Sequence, residues 1–131
     1  MKLKGFKYLT VEEIVEVHER IIDETGGESG PLNMGNLGFV LDQIQTEFYG
    51  HDSGDLFTQA AILIRGIICG HPFVDGNKRT GFEATDLFLN NNGYYIDVDV
   101  LEGVGFTVAI ATGKFDISET RTWLLKHIKK L

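Results

Sequence analysis

The sequence has little of what builds a cross-linked or membrane-spanning protein. It contains one cysteine, Cys69, which cannot form an internal disulfide, and no histidine or second cysteine lies at zinc-site spacing from it. Cys69 ends an apolar stretch, so we expect a small buried hydrophobic residue. No apolar run reaches the roughly 18 residues of a membrane span, and residues 1–8 lack a signal-peptide core. We therefore expect a cytoplasmic protein without a membrane partner.

Positive charge is also scarce. The chain has 12 lysines and arginines against 19 aspartates and glutamates, a net charge of -7. A general nucleic-acid binder needs a basic face to contact phosphates, so we expect no direct binding of nucleic acid. Any phosphate must then be bound at one local site. The length of 131 residues suits a single domain over residues 1–131.

Helical periodicity is what the sequence has in quantity. Thr10 and Glu13 form a predicted capping box at the start of the first helix, which a Gly-Gly pair ends. Five further helices are predicted: from Leu37, from the N-cap Asp55, over residues 77–91, over residues 100–113, and from Asp116 or Ser118 to Lys130. The segment Tyr94-Tyr95-Ile96 is too short and isolated to build a sheet. The predicted fold is therefore all-α, a compact single domain of about six helices.

Two histidines have structural interpretations. His18 lies on the apolar stripe of the first helix, which predicts a hydrogen-bonded core histidine and not a ligand. His51 lies within residues 49–55, a cluster of helix-breaking residues that predicts a plain loop.

The segment GHPFVDGNKRT, residues 70–80, concentrates reactive side chains between two predicted helices. A helix that begins near Gly76 points its free amides and the positive end of its dipole into this segment, which favours an anion. Gly76 has no Cβ to obstruct close approach, and Asn77 can donate or accept a hydrogen bond. Lys78 and Arg79 add cations that suit phosphate oxygens. The pattern indicates a phosphate or nucleotide site.

His71 and Asp75 add candidate chemistry to the same segment. Asp75 would repel a phosphate unless a cation joined the two, and Mg²⁺ binds carboxylates together with phosphate oxygens, so Asp75 is a predicted metal ligand. His71 could take the proton from an attacking hydroxyl, and Phe73 is expected to anchor the segment in the core. The alternative is a structural turn with Asp75 as an N-cap. That interpretation is weaker because the two cations would then oppose the helix dipole.

The segment His71-Pro-Phe-Val-Asp-Gly-Asn-Lys-Arg79 resembles the signature of the Fic/Doc family, His-x-Phe-x-Asp/Glu-Gly/Ala-Asn-Gly/Lys-Arg. The likeness runs from residues 9–13 to residues 111–113 and points to the Doc (death on curing) toxins. It implies a compact all-helical fold and the transfer of part of ATP, with Mg²⁺, to a hydroxyl of another protein. The resemblance assigns these roles: His71 as base, Asp75 as Mg²⁺ ligand, Gly76 and Asn77 as the anion site, and Lys78 and Arg79 as phosphate-binding cations.

Three positions bear on which phosphorus is attacked. Doc-type proteins have a lysine where this chain has Lys78 and transfer the γ-phosphate as protein kinases. Fic adenylyltransferases have a glycine there and a second arginine where this chain has Phe82. Both residues favour phosphate transfer. Gly76 is the Fic-like residue where Doc has alanine, so AMP transfer is the alternative.

Two acids follow Arg79 on its predicted helix face. Glu83 and Asp86 lie four and seven residues further on, and either could hold the guanidinium away from a phosphate. A degenerate module that binds a nucleotide or anion without chemistry is therefore a third hypothesis.

Regulation is expected to come from a partner. The sequence has no Ser/Thr-x-x-x-Glu-Gly/Asn segment of the kind that inhibits many Fic proteins from within. The Doc resemblance instead implies a separate Phd-like antitoxin. It also implies a translation factor as target, with elongation factor Tu as the first candidate.

Overall fold

The computed structural model describes residues 5–50 and 55–131, without the side chains of residues 46–50. The elements are α1 (Val11–Thr25), α2 (Met34–Gly50), α3 (Leu56–Gly70), α4 (Asn77–Asn91), β1 (Tyr94–Ile96), α5 (Val100–Ala111), α6 (Ile117–His127) and β2 (Ile128–Lys130). The described residues thus confirm the predicted all-α fold of six helices. His51 and most of the loop predicted around it lie outside the description. None of the described helices is both long and apolar enough to cross a membrane.

The helix ends follow the local sequence. The Thr10 hydroxyl accepts a hydrogen bond from the Glu13 amide at 3.2 Å, and the Glu13 carboxylate accepts one from the Thr10 amide at 2.9 Å, which confirms the capping box. Gly26 ends α1 in the left-handed conformation, with φ of 72°. Aspartate side chains cap three later helices: Asp55 at α3, Asp99 at α5 and Asp116 at α6.

Helix α3 is the centre of the molecule, with buried residues along most of its length. Helices α2, α4 and α6 pack around it. Two glycines bring the neighbouring helices close: a Cβ on Gly66 would lie 2.2 Å from Cγ2 of Val40, and one on Gly81 would lie 2.9 Å from Cγ1 of Ile68. The prediction that Cys69 is buried was wrong. Its side chain is exposed beside an open groove that α2 and α3 share.

The chain also forms a small sheet that the sequence did not predict. Strands β1 and β2 pair antiparallel, with Tyr94 opposite Lys130 and Ile96 opposite Ile128. Helix α6 therefore ends at His127 and not at Lys130. The error has a physical reason: a three-residue strand shows no periodicity of its own, and its partner lies more than thirty residues away along the chain.

Candidate active site

The segment between α3 and α4 forms a tight loop that begins at a strained residue. His71 follows the last turn of α3 with φ of 46° and ψ of 57°, a left-handed conformation that residues other than glycine adopt infrequently. Its side chain is exposed. The surrounding structure must hold this conformation, and such positions concentrate at functional sites.

The backbone of this loop is fixed by a segment that follows α1. Two amides of residues 30–33 donate to the carbonyl oxygen of Pro72 at 2.9 and 3.1 Å, and the Val74 amide donates back to that segment at 3.1 Å. On the α3 side, the Asn36 side-chain amide donates to the Gly70 carbonyl oxygen at 2.7 Å. Contacts to neighbouring segments on both sides therefore define the shape of the loop.

Phe73 and Asn77 anchor the centre of the loop. Phe73 is buried, as predicted. The Asn77 side chain accepts a hydrogen bond from the Phe73 amide at 3.1 Å and donates one to the Phe73 carbonyl oxygen at 2.9 Å. Both ends of the Asn77 side-chain amide are thus used inside the loop. An anion at this site would meet the Asn77 backbone N–H at the start of α4, and the predicted contact with the Asn77 side chain stays a prediction.

His18 lies beneath the same loop. It is buried and hydrogen-bonded, as predicted, but its partner is the Asp75 carbonyl oxygen, 2.7 Å from Nε2. Its ring stacks on that of Phe73, with the ring centres 3.7 Å apart and the planes 6° from parallel. The core histidine of α1 therefore supports the candidate site directly.

Helix α4 begins without a side-chain cap. Gly76 is its N-cap residue, with φ of 78°, and within the part of the chain that the structure describes no side chain bonds to the first amides of the helix. Thr10, Asp55, Asp99 and Asp116 provide such a cap for α1, α3, α5 and α6. The free amides and the helix dipole of α4 therefore face the loop, as predicted, and suit an anion.

Asp75 is an exposed carboxylate with a fixed orientation. One oxygen accepts a hydrogen bond from the Gly76 amide at 2.8 Å and the other from the Glu28 amide at 3.2 Å. Gly27 lies so close that a Cβ there would be 2.7 Å from Oδ2. Each oxygen keeps a further lone pair, so the group fits Mg²⁺, which binds one or two carboxylates together with substrate phosphates. No group of three His, Cys, Asp or Glu side chains among the described residues is placed to hold a metal.

Arg79 belongs to an ion-pair cluster of two arginines and two glutamates. Its Nε donates to Glu83 at 2.8 Å and its Nη2 to Glu24 at 3.0 Å. Arg20 contacts the same two carboxylates, Glu83 at 3.1 Å and Glu24 at 3.8 Å. We call these four residues the charge cluster. The hydrogen bond to Glu83 raises the pKa of Arg79 above its usual value, so the guanidinium is always charged.

One of the two acids predicted to hold Arg79 does so. Glu83 does pair with it, but the Asp86 carboxylate accepts a hydrogen bond from the Ile96 amide at 2.9 Å, which ties β1 to α4. Burial raises the pKa of Asp86. No local pattern indicates Glu24, because it lies 55 residues from Arg79 and contacts it only through the packing of α1 on α4.

Fold and loop together define a small helical protein in which a histidine, a carboxylate and an uncapped helix start share one loop. Comparison with known proteins agrees: the model of the Fic/DOC family matches residues 8–89. Over 112 residues the chain is 30% identical to the protein kinase doc of Escherichia phage P1. The alignment covers 86% of this chain and 88% of the phage protein. Over 95 residues it is 34% identical to the toxin Doc of Mycolicibacterium smegmatis. That alignment covers 70% of this chain and 73% of the toxin. The chain belongs to the Fic/DOC family, and its likeness to Doc toxins is confirmed.

Proposed function

We propose that this protein is a Doc-like toxin that transfers the γ-phosphate of ATP to a hydroxyl of a target protein. The observation that carries the proposal is the uncapped start of α4, which faces a rigid loop with His71 and Asp75. The relatives' names support the two parts of the proposal: protein kinase doc supports phosphate transfer to a protein, and toxin Doc supports a toxin.

In the proposed reaction, His71 takes the proton from the acceptor hydroxyl as its oxygen attacks the γ-phosphorus. The new bond joins that oxygen to the γ-phosphorus, the bond from the γ-phosphorus to the bridging oxygen breaks, and ADP leaves. The backbone amides at the start of α4, together with Lys78 and Arg79, bind the phosphate oxygens. Asp75 would hold Mg²⁺, which would supply positive charge to offset that of the phosphates. Because hydrogen bonds fix the loop beforehand, little reorganisation accompanies the reaction.

The surroundings of Phe82 favour transfer of the γ-phosphate over AMP. Adenylyltransferases of the family place a second arginine at this position. Here the Phe82 ring packs towards α5, where a Cβ on Gly103 would lie 3.5 Å from its Cε2. The position therefore belongs to the contact between α4 and α5 and supplies no cation for the outer phosphates.

Gly76 is explained without reference to the nucleotide. Its φ of 78° favours glycine, and a Cβ there would lie 3.3 Å from Cδ1 of Ile22. Backbone conformation and packing thus account for a glycine whichever phosphorus is attacked. Gly76 is therefore weaker support for AMP transfer than the sequence alone suggests.

The proposal includes two protein partners and a place. A Phd-like antitoxin would block the site, and the target would be a translation factor, with elongation factor Tu the first to test. Both partners imply that the protein acts in the cytoplasm. The support is the toxin name of the relatives together with the absence of an internal inhibitory segment from the sequence.

Labelled ATP tests the reaction. The protein is incubated with Mg²⁺, a bacterial lysate and ATP labelled in either the α- or the γ-phosphate. We expect γ-label on a protein, reduced at least about a hundredfold in His71→Ala since a general base contributes that much or more, and also lost in Asp75→Asn. His127→Ala, on α6, is the matched control and should keep activity. Transfer of α-label would establish the adenylyltransferase instead, and no transfer of either label would favour the degenerate binding module.

A further inference from the structure

We propose that His18 is a positioning residue of this site. Its Nε2–H holds the peptide bond between Asp75 and Gly76 in the orientation that turns the Gly76 N–H outward, where it donates to the Asp75 carboxylate and fixes that group in the site. The inference rests on the proposed function and deepens it, because it names a residue outside the family signature on which the orientation of the Asp75 carboxylate depends.

Three contacts place His18 under the loop. Its side chain is 2% exposed, and Nε2 lies 2.7 Å from the Asp75 carbonyl oxygen. The ring stacks on Phe73 at 3.7 Å. A Cβ on Gly76 would lie 3.7 Å from both Cδ2 and Nε2 of the imidazole. One buried side chain of α1 thus contacts the loop from its anchoring phenylalanine to the first residue of the anion site.

The hydrogen bond fixes the direction of a peptide bond. A carbonyl oxygen only accepts, so Nε2 must carry the hydrogen in this contact. In a planar trans peptide the C=O and the following N–H point in opposite directions. With the Asp75 carbonyl directed inward at His18, the Gly76 N–H points outward, where it meets the Asp75 carboxylate at 2.8 Å.

The opposite orientation would damage the site. If this peptide turned over, the Gly76 N–H would face His18 and the Asp75 carbonyl oxygen would face the phosphate. The Asp75 carboxylate would lose the hydrogen bond that orients it, and an acceptor that repels phosphate oxygens would face the site. Gly76 has no Cβ to resist such a rotation, so an outside contact has to set the orientation.

A purely structural role for His18 would rest on its ring alone, through the contact with Phe73. Two substitutions separate the ring from the donor. His18→Phe keeps a flat ring over Phe73 but removes the N–H. His18→Gln removes the ring but can place an amide N–H near the position of Nε2. His18→Asn is the matched control for Gln, since its shorter amide does not reach the Asp75 carbonyl oxygen.

The experiment compares these variants by amide NMR of the Gly76 N–H, by kcat and KM for phosphate transfer, and by thermal unfolding. We expect His18→Phe to move the Gly76 resonance and lower kcat at least about tenfold, since losing one oriented donor costs this much or more. His18→Gln should have a Gly76 resonance and a kcat closer to the wild-type values than His18→Asn has. This order should hold whichever of the two variants is the more stable. If His18→Phe does not fold, the Gln and Asn pair carries the same test.

Two results would overturn the inference. One is an unchanged Gly76 resonance and kcat in His18→Phe. The other is a loss of kcat across all variants that follows only their loss of stability. Failure of the proposed function is a separate result: the wild-type protein would then transfer no phosphate. In that case the NMR shift of the Gly76 amide on addition of Mg²⁺ and ATP still tests the inference. The inference requires a shift in the wild-type protein and in His18→Gln, and none in His18→Phe.

Discussion

His71 has the only positive φ among the described residues other than glycine, at 46°. A left-handed conformation costs a residue with a Cβ about 1–2 kcal/mol. Bonds to the Gly70 and Pro72 carbonyl oxygens on either side hold the backbone in place. The strain therefore falls on the residue proposed as the base, where function can retain a conformation that stability disfavours.

This strain predicts an order of stability. His71→Gly and His71→Ala should both be inactive, but His71→Gly should be the more stable by about 1 kcal/mol, because only alanine keeps the Cβ in the left-handed region. Urea denaturation of the two variants measures the difference. Equal stabilities, or a more stable alanine variant, would show that the backbone at this position is not strained.

The charge cluster predicts a second effect on the site. Glu24 and Glu83 occupy two of the donors of Arg79 that a phosphate would need. Arg79 is 48% exposed, so each pair is weak and a phosphate can replace it. Glu24→Gln and Glu83→Gln should each lower the KM for ATP by up to about fivefold, the value of an exposed ion pair.

Steady-state kinetics at low and high salt check this prediction. The difference from wild type should shrink at high salt because exposed charges are screened. Glu16→Gln, on the same helix as Glu24, is the matched control. A higher KM in the two variants would mean that the glutamates orient Arg79 for phosphate and do not compete for it.

At this scale the signature residues could be predicted because they are neighbours in the sequence. A helix start, a glycine, two cations and a carboxylate within residues 71–79 define an anion site locally. Glu24, Arg20 and the contact of His18 with Asp75 could not be predicted. They reach the loop only because α1 packs on α4, and that contact between elements distant in sequence leaves no local pattern.

At the scale of elements, glycines set how closely the helices approach. Gly66 faces Val40, and a Cβ there would lie 2.2 Å from Cγ2, 2.8 Å from Cγ1 and 3.1 Å from the Val40 Cβ. Because the Val40 Cβ itself is this close, no rotamer of the valine relieves the overlap. Helices α2 and α3 would have to move apart.

Alanine substitutions test this close packing. Gly66→Ala should lower the free energy of unfolding by about 1–3 kcal/mol, the usual cost of overpacking. Gly105→Ala, in α5 with open space around it, should raise the free energy of unfolding by about 0.5–1 kcal/mol through helix propensity. Chemical denaturation measures both. A stabilised Gly66→Ala protein would show that the two helices are not in close contact there.

Elements with strong local signals were predicted best. Caps at Thr10 and Asp55 and stops at Gly26 fixed helix boundaries within about a turn. The two strands were not predicted because each has only three residues and makes its hydrogen bonds with the other, which is distant in the sequence. The predicted burial of Cys69 was wrong because apolar neighbours in the sequence do not show which side of α3 faces solvent.

At the scale of the whole molecule, Asp55 joins two distant helices. It caps α3 through the Phe57 amide at 3.0 Å and receives a hydrogen bond from Arg121 of α6. Burial alone would raise the pKa of Asp55, but the hydrogen bonds from Arg121, Phe57 and Thr58 together hold it below its usual value of 3.8. The contact closes a loop of 66 residues.

The lowered pKa gives a pH dependence of defined sign. A carboxylate with a lower pKa in the folded state stabilises the protein above the unfolded pKa, and this contribution disappears as the pH falls through the folded value. Asp55→Asn keeps a good N-cap and removes the charge. It should be less stable than wild type at pH 7, and the difference should close as the pH falls below about 4, near the unfolded pKa.

Unfolding curves of wild type, Asp55→Asn, Arg121→Gln and the double variant between pH 2 and 7 check this effect, over a range that brackets the ordinary carboxyl pKa of about 4. The interaction free energy between Asp55 and Arg121, obtained from the four free energies of unfolding, should be present at neutral pH and absent in acid. A difference between wild type and Asp55→Asn that does not change with pH would assign the stability to capping alone.

The most direct test of the central claim is the intact mass of purified elongation factor Tu after incubation with this protein, Mg²⁺ and ATP. The proposed function predicts a gain of one phosphoryl group, absent when His71→Ala replaces the wild-type protein. A gain of one adenylyl group, or no change of mass with a protein shown to be free of antitoxin, would contradict a Doc-like kinase acting on this target.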